Sequence, residues 1–220
     1  MNTLTPHIIK EANGHYSLGT LKGSQILYDF EKVLNYLDAK GKLLFGNDFR
    51  IYPEDRAILF KLINYFIKEK NNCKKLKIDV NKGILLSGPV GCGKTSLMKL
   101  LPAIVPHQKW YKIVPTRSIV FAFNHTGYKC IERFGSYNSY CFDDLGIEPI
   151  ARFFAKDCNV LGEILLSLHE LFINHKVKTF ATTNLNAFEL EGLYGKRVRS
   201  RMRQLFNLIG FDKDSFDKRK

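Results

Sequence analysis

The segment Gly88–Thr95, which reads GPVGCGKT, constrains the fold of this chain more than any other. It matches the pattern GxxxxGK[ST], and it lies between an apolar stretch, Gly83–Ser87, and an amphipathic one, Ser96–Leu101. Glycines allow the backbone to curl so that successive N–H groups face a phosphate, and the N-terminus of the following helix adds positive potential. We therefore predict a strand, a phosphate-binding loop and a helix, in that order.

This loop predicts the binding of a nucleoside triphosphate. Lys94 would reach the β- and γ-phosphates, and the hydroxyl of Thr95 would be a ligand of Mg²⁺. We expect Lys94 to face solvent and to support no core, and we interpret Cys92 as a filler of the loop and not as a nucleophile. The residues predicted to surround the nucleotide are Gly88, Pro89, Val90, Gly91, Cys92, Gly93, Lys94, Thr95 and Ser96.

Two acids end a second apolar strand candidate within the segment Ser139–Gly146, which reads SYCFDDLG. Ligands of a parallel α/β sheet gather at the carboxyl ends of its strands, so both acids are expected beside the phosphate loop. Asp143 is predicted to hold Mg²⁺, directly or through water, and Asp144 to polarise the attacking water. Glu148 is an alternative base or a surface acid.

The spacing Asp143-x-x-Gly146 also matches a pattern found in GTPases. A GTPase would carry a guanine-reading NKxD motif downstream of it. The Asn-Lys pair of this sequence, Asn81-Lys82, precedes the phosphate loop and is followed by Gly83-Ile84. The sequence therefore disfavours a GTPase.

Polar and basic residues follow the next strand candidate, Thr179–Asn184, which reads TFATTN. The amide of Asn184 either lies against the γ-phosphate or the attacking water, or caps a helix, because Asn is a good helix cap. Arg197 and Arg201 are four residues apart and share a face if this segment is helical. Arginines on an interface can reach a phosphate bound by a neighbour.

The order of these motifs resembles that of the AAA+ ATPases. The sequence is most similar to their bacterial replication-initiator and helicase-loader branch, which includes the helper ATPases of insertion sequences (DnaC/IstB-like). The most telling segments are Phe142–Gly146, FDDLG, and Arg197–Met202, RVRSRM, and the similarity extends from about Gly83 to Phe211.

This resemblance implies an α/β P-loop NTPase fold with a five-stranded parallel sheet covered by helices. It implies Mg²⁺-dependent ATP hydrolysis, and self-assembly on or around single-stranded or duplex DNA with ATP sites at subunit interfaces. By the same resemblance, Asn184 would be the first sensor, Arg201 the finger that completes a neighbour's site, and Arg197 its support. Asp144 stands where many relatives have Glu, so hydrolysis is expected to be slow without a partner or DNA.

Four functions are weighed on these motifs. One is an ATP-driven helicase loader or other replication accessory, whose partner is a replicative helicase. Another is a helper ATPase of mobile elements, whose partner is a recombinase, and the sequence does not choose between these partners. A third is an adaptor that binds ATP but hydrolyses it little, which is indicated by Asp144 in the position where many relatives have Glu. A small-molecule kinase is disfavoured by the polar strand tip and the arginine spacing.

Apolar periodicity predicts the organisation of the chain. Residues 1–23 predict an irregular arm, and residues 24–40 a helix that ends at Gly41; a second helix is predicted to begin at Pro53. From Gly83, short apolar runs alternate with helical stretches, which favours a parallel sheet covered on both faces. We assign residues 1–52 to an N-terminal arm and helix, and residues 53–220 to the ATPase core with a basic C-terminal tail. The predicted strands are Ile84–Leu86, Trp110–Val114, Tyr140–Phe142 and Thr179–Thr182, and the later helices are Lys94–Leu101, His125–Phe134, Leu161–Asn174 and Ala187–Leu193.

The chain is basic, with 34 Lys and Arg against 21 Asp and Glu and a net charge of +13. The excess lies in Lys68–Lys82 and Lys196–Lys220, which predicts either contacts with nucleic-acid phosphates or a solvated surface. Scattered cysteines without a CxxC pair argue against a disulfide scaffold and for a reducing compartment. Without a membrane-length apolar stretch or a signal-peptide pattern at Met1–Lys10, a cytoplasmic protein without a membrane partner is predicted.

Several aromatic residues lie between the phosphate loop and the acidic motif. They could stack on bases, but packing in the core is the commoner fate and is what we expect. Arg117 and Lys129 are better candidates for contact with a DNA backbone. The aromatic residues are Phe121, Phe123, Tyr128, Phe134, Tyr137 and Tyr140.

Overall fold

The computed structural model describes residues 5–12, 14–154 and 156–219, and the chain folds as two compact units. The first unit comprises Met1–Glu69 together with Lys99–Gln108, and the second comprises Lys70–Met98 together with Lys109–Lys220. The stretch 53–69 thus groups with the first unit, although the sequence assigns it to the ATPase core. The domain boundary between residues 52 and 53 stays a prediction.

The first unit begins with two antiparallel hairpins where an irregular arm was expected. One pairs β1 (Ile8–Glu11) with β2 (Gly14–Ser17), and the other pairs β3 (Gly19–Lys22) with β4 (Gln25–Tyr28). The expected arm is therefore wrong for the described residues, while residues 1–4 and 13 lie outside them. Short strands joined by tight turns carry too few residues for a clear alternation of polar and apolar side chains.

Two helices complete the first unit. Helix α1 (Phe30–Phe45) begins later than predicted because the carboxylate of Asp29 caps it, accepting a hydrogen bond from the N–H of Lys32 at 3.1 Å. It continues through the predicted stop at Gly41, where any side chain would collide with the ring of Phe49. Helix α2 (Arg56–Phe66) follows a 3₁₀ turn at Pro53–Asp55, and a second 3₁₀ turn spans Leu101–Ile104.

The second unit alternates strands and helices, as the sequence predicts. Its elements in chain order are α3 (Lys70–Lys75), β5 (Gly83–Ser87), α4 (Lys94–Leu100), β6 (Lys112–Pro115), α5 (Thr116–Thr126), α6 (Tyr128–Phe134), β7 (Tyr140–Asp143), β8 (Ala151–Phe153), β9 (Lys156–Cys158), α7 (Val160–His175), β10 (Phe180–Thr183), α8 (Ala187–Leu205) and β11 (Phe206–Gly210). Strands β8 and β9 form an antiparallel hairpin that the sequence did not predict.

Five of these strands form one parallel sheet, in the order β11-β5-β10-β7-β6. This confirms the predicted five-stranded parallel sheet. Because the strands are parallel, the ends of β5, β7 and β10 lie at the same edge, and the residues that follow them meet there.

The two faces of the sheet have different roles. Leu85, Phe142 and Ala181 point to one face, where they pack in a buried core with residues of α5, α6, α7 and α8. Side chains alternate along a strand, so Asp143 and Thr182 point to the opposite face. No helix within the described ranges is long and apolar enough to cross a membrane.

Several elements of the second unit differ from the predicted ones; α8, for example, extends to Leu205 and not only to Leu193. The helix predicted over His125–Phe134 corresponds to α6 and the last two residues of α5, which are separated where the backbone at Gly127 turns to a φ of 60°; the rest of α5 is not predicted. The apolar residues of α5, such as Ile119 and Phe123, are buried on one face of that helix. Strand β11 was not predicted as an element, although the resemblance implied a fifth strand.

Candidate nucleotide-binding site

The phosphate loop of the sequence connects β5 to α4 at the carboxyl edge of the sheet. Gly91 and Gly93 have φ values of 81° and 99°, a region that side chains rarely adopt, so the curl of the loop depends on glycine. The N–H of Gly88 donates to the carbonyl of Thr183 at 3.2 Å, which ties the start of the loop to the end of β10. The start of the loop is therefore fixed to the sheet.

Lys94 is buried, with 6% of its surface exposed, so the expectation of a solvent-facing lysine is wrong. Its Nζ donates to the carbonyls of Gly88 and Pro89, both at 2.8 Å. A buried ammonium needs acceptors, and two carbonyls of the loop serve as these acceptors. The side chain is thus folded back across the loop.

The two motifs meet at Asp143. Its Oδ1 accepts hydrogen bonds from the hydroxyls of Thr95 and Thr182, both at 2.7 Å. A carboxylate and a hydroxyl are the oxygen ligands that Mg²⁺ prefers, and Mg²⁺ is usually held by one or two such groups together with phosphates. The donor set therefore fits a magnesium ion bound with a nucleotide. Within the described ranges, no group of three or more His, Cys, Asp or Glu side chains could hold a metal ion.

Asp144 lies in a strained turn beside this pair, with a φ of 59°. Its N–H donates to the hydroxyl of Thr182 at 2.9 Å, and its carbonyl accepts from the hydroxyl of Thr116 at 2.9 Å. These bonds hold the backbone in a left-handed conformation that a non-glycine residue adopts at a cost. Burial and the neighbouring Asp143 raise the pKa of the Asp144 carboxyl, and Lys94 and Arg219 partly oppose this rise.

Asn184 directly follows β10, at the same edge of the sheet. Its Oδ1 is buried and makes no hydrogen bond within the described part of the chain. The cap of α8 is instead Asn186, whose side chain accepts from the N–H groups of Phe188 and Glu189. The capping alternative for Asn184 is therefore wrong, and its amide oxygen remains unpaired next to the loop.

Glu148 holds a turn and is not free to act as a base. One of its carboxylate oxygens accepts from the N–H of Gly146 at 2.8 Å, and the other accepts from the hydroxyl of Tyr194. Burial, together with the charge of Glu148, raises the pKa of the Tyr194 hydroxyl. The structure therefore favours Asp144 over Glu148 as the acid that is available to a bound ligand.

Comparison with solved structures identifies this arrangement. The DnaC helicase loader has 18% sequence identity and a TM-score of 0.53, over 74% of this chain and 92% of that chain. DnaI has 20% identity and a TM-score of 0.52, over 74% of this chain and 87% of that chain. AMPPCP-bound DnaA from Aquifex aeolicus has 15% identity and a TM-score of 0.53, over 78% of this chain but 50% of that chain.

The chain has the fold of the AAA+ P-loop ATPases. No protein-family model matches its sequence. A curated protein of Methanosarcina acetivorans, named as an ABC transporter ATP-binding protein, is 52% identical over 33 residues. That match spans 15% of this chain and 5% of the relative, so the chain corresponds to a small part of that protein.

The two arginines of the AAA+ resemblance lie on α8. This helix is interrupted at Gly195, with a φ of 82° and a ψ of 160°, and both arginines follow the interruption. Arg197 is exposed and Arg201 is half-buried. Among the described residues, neither arginine has a hydrogen bond or an ion pair. The structure therefore brings Thr95, Asp143, Asp144 and Asn184 to one edge of the sheet, and in its described part neither arginine pairs with them.

The segment Phe211–Arg219, which follows β11, lies against the phosphate loop. The N–H of Lys218 donates to the carbonyl of Gly91 at 3.1 Å, and its Nζ donates to the carbonyl of Cys92 at 2.8 Å. A Cβ on Gly91 would lie 2.0 Å from a carboxylate oxygen of Asp217, so the approach requires glycine. The sequence indicated a basic tail here, but no pattern placed it on the loop; Lys220 lies outside the described residues.

The aromatic residues near the acidic motif divide evenly between core and surface. Phe123, Phe134 and Tyr140 are buried, which confirms their predicted place in the core. Phe121, Tyr128 and Tyr137 are exposed, so the same prediction is wrong for them. Other elements cover them only in part: Tyr128 contacts Phe153, and Tyr137 contacts His175.

Proposed function

We propose that this chain binds and hydrolyses Mg·ATP and acts on DNA as a helicase-loader-like replication accessory. The observation that supports the proposal best is the contact of Thr95 and Thr182 with Asp143, because it joins the two motifs where their strands end. The similar structures include a protein named as a helicase loader, which favours replication over transposition. Cytoplasmic location is part of the proposal, in keeping with five free cysteines.

The phosphates would bind at the loop between β5 and α4. The Nζ of Lys94 would exchange the carbonyls of Gly88 and Pro89 for β- and γ-phosphate oxygens, which carry more negative charge. Thr95 and Asp143 would hold Mg²⁺, which when bound supplies charge neutralisation to the phosphates. The hydroxyl of Thr182 would keep Asp143 oriented toward the ion.

Asp144 and Asn184 would act on the attacking water. A carboxylate with a raised pKa is a stronger base than an ordinary one, and the pKa of Asp144 is raised. Hydrogen bonds of its backbone N–H and carbonyl fix the position of Asp144 after β7. The unpaired Oδ1 of Asn184 would accept a hydrogen bond from the same water. Together these groups would orient the water and accept its proton.

The substitution Asp144→Asn should retain Mg·ATP binding but slow hydrolysis by about 10²–10⁴-fold, the usual contribution of a general base. At neutral pH it should also raise the Tm, because burial and the nearby Asp143 disfavour the ionised carboxyl in the folded state. The pKa of Asp144 is raised, so its stabilising contribution is present at low pH and lost as the pH rises through that pKa. Turnover and thermal unfolding measure the two effects.

Glu148→Gln is the matched comparison, because Glu148 already has partners for both carboxylate oxygens. This variant should keep most of its turnover per bound ATP. If Asp144→Asn turns over ATP normally while Glu148→Gln does not, the roles that we assign to the two acids are reversed.

DNA would bind at an exposed surface formed by α5, α6 and the β8–β9 hairpin. Tyr128 and Phe154 expose 65% and 85% of their surface, and Phe121 lies under the guanidinium of Arg117 at 5.2 Å. The ring of Phe153 joins Tyr128 to Phe154, with centroid distances of 6.4 and 4.5 Å. Aromatic rings beside cations are the arrangement by which proteins bind single-stranded nucleic acid. We call Arg117, Phe121, Tyr128 and Phe154 the aromatic surface.

Single-stranded DNA should lose affinity when Phe154 is replaced by Ala, because stacking on one ring contributes about 1–3 kcal/mol per base. The affinity of the unmodified chain should fall steeply with salt, since bound cations release counterions from the phosphates. Phe154→Ala should leave that salt slope unchanged, whereas Arg117→Ala should reduce it by about one. Fluorescence anisotropy with labelled oligonucleotides, at a series of salt concentrations, measures both quantities.

Phe188→Ala is the control for this experiment, because Phe188 is 86% exposed and lies on α8, outside the aromatic surface. Equal losses in both variants, or a flat salt dependence in the presence of ATP, would contradict binding at the aromatic surface. A flat dependence would instead favour a solvated basic surface.

A nucleotide-gated adaptor with little turnover is the second candidate, and Asp144 in place of Glu favours it. Measuring ATP turnover with and without single-stranded DNA separates the two candidates, since an adaptor would remain slow in both. Affinity capture from the native cell should yield a replicative helicase if the chain is a replication accessory. Recovery of a recombinase would favour the transposition helper instead.

A further inference from the structure

A groove of about 360 Å³ lies at the carboxyl end of the sheet, between strands β5, β10 and β11 and the start of α8. Its lining is mostly apolar and includes Leu85, Leu190 and Leu208, together with one cation, Arg199. The volume lies within the range of ligand-binding clefts, which are mostly apolar with a few polar groups that fix orientation.

This groove is separate from the candidate nucleotide site. Ser87 pairs with Thr183 and with Gly210 across the sheet, and all three line the groove on the α8 face. Thr182 and Asp143 lie on the opposite face, because side chains alternate along each strand. A ligand in the groove would thus contact the back of the strands whose ends carry the phosphate loop.

Arg199 is buried, with 9% of its surface exposed, yet its Nε has no hydrogen-bond partner within the described residues. Burial and the nearby Arg203 lower the pKa of its guanidinium, and Glu191 opposes this without forming an ion pair. A buried cation without a partner is unfavourable, so the arrangement lacks an anionic group. Among the described residues, Glu191 is close enough for its charge to act on Arg199, but it does not pair with the guanidinium.

The outer rim of the groove is an exposed strand edge. Strand β11 is the edge strand of the sheet and pairs with β5 alone in the described structure. Leu208 on this strand points to the groove and exposes 63% of its surface. Edge strands with exposed apolar side chains bind extended peptides by adding a strand, with side-chain pockets that give specificity.

We propose that this groove binds an extended, acidic and apolar peptide segment of a partner protein. A carboxylate of the segment pairs with Arg199, and its apolar side chains cover Leu85, Leu190 and Leu208. The segment lies along the free edge of β11. This inference is independent of nucleotide binding, because it uses the opposite face of the sheet and none of the phosphate-loop residues.

A random-sequence peptide library displayed on phage is the probe that tests the proposal, selected on the full chain without nucleotide. The selected peptides should share an Asp or Glu flanked by apolar residues. A synthetic peptide of that consensus should lose at least ~30-fold in affinity when its acid is changed to the matching amide, since breaking a buried charged pair has at least that effect. This comparison requires no variant of the protein.

Arg199→Met should weaken the consensus peptide to the same extent and leave the Tm equal or higher, because it removes an unpaired buried charge. Arg203→Met, on the same helix but exposed, should weaken the peptide far less, because it removes only a neighbouring charge and no direct pair. The proposal is overturned if the consensus lacks an acid, if Arg199→Met binds the peptide normally, or if Arg203→Met weakens it equally. If hexanoate displaces the peptide and binds the groove as tightly as the peptide does, the ligand is a free carboxylate, and our assignment of a peptide is overturned.

Discussion

Lys94→Ala should lower the affinity for ATP by at least ~100-fold, the largest binding effect that we expect from a single substitution. Each hydrogen bond to a charged group contributes about 1.5–3 kcal/mol, and Lys94 would bond to two phosphates. Isothermal titration with ATP and Mg²⁺ measures the loss. The fold should survive, because the carbonyls of Gly88 and Pro89 that Lys94 now satisfies belong to a loop that water can reach.

Lys99→Ala provides the matched control, since Lys99 lies on the same helix, α4, and is exposed. It should bind ATP normally and unfold at the Tm of the unmodified chain. Unchanged ATP affinity in Lys94→Ala would contradict the assignment of the nucleotide site. A lower Tm with unchanged affinity would indicate that the buried ammonium serves only to stabilise the loop.

Arg201→Ala should bind ATP normally but lose turnover by about 10³–10⁵-fold, the usual contribution of an arginine finger. Within one chain, Arg201 has no contact with Thr95, Asp143 or Asp144 in the described structure, so it would act on the site of a neighbouring copy. Lys94 alone offers little to offset the charge that grows on the γ-phosphoryl oxygens.

Mixing the inactive variants Arg201→Ala and Lys94→Ala tests whether the finger acts between copies. Some interfaces of the mixture would combine an intact phosphate loop from one copy with an intact Arg201 from the other. Partial recovery of turnover is the expected result, measured as phosphate release at a series of mixing ratios. If the mixture stays inactive although the copies assemble, or if a monomer hydrolyses ATP at the full rate, the role between copies is wrong.

The parts of the fold that sequence predicted are those in which a local pattern coincides with a tertiary requirement. The loop Gly88–Thr95 demands glycine at fixed positions, and Gly91 and Gly93 adopt positive φ values. The acids after Phe142 end a buried strand. Because this strand and the strand before the loop end at the same edge of the sheet, Asp143 can contact Thr95, and it does. The roles of Asp144, Asn184, Arg197 and Arg201 remain predictions.

Three features that the sequence did not predict, namely strand β11, the position of Phe211–Arg219 and the burial of Arg199, depend on contacts between residues that are distant in the sequence. Strand β11 directly follows α8, and its pairing with β5 determines it more than its own pattern does. The placement of Phe211–Arg219 on the loop rests on one backbone and one side-chain hydrogen bond of Lys218, and no local pattern marks this lysine among the others of the tail. Arg199 is one of four arginines at alternate positions between Arg197 and Arg203, and only Arg199 is buried. Which of the four is buried depends on the side of α8 that packs against the sheet, and the sequence pattern does not reveal it.

The contacts of Lys218 also polarise the peptide groups that are predicted to face the phosphates. The carbonyls of Gly91 and Cys92, which accept from Lys218, share their peptide planes with the N–H groups of Cys92 and Gly93. Withdrawing electron density at a carbonyl makes the N–H of the same peptide a stronger donor, and chains of hydrogen bonds strengthen one another in this way. Through this polarisation of two peptide groups, Lys218 would strengthen the binding of an anion by a loop that lies more than one hundred residues earlier in the sequence, without touching the anion itself.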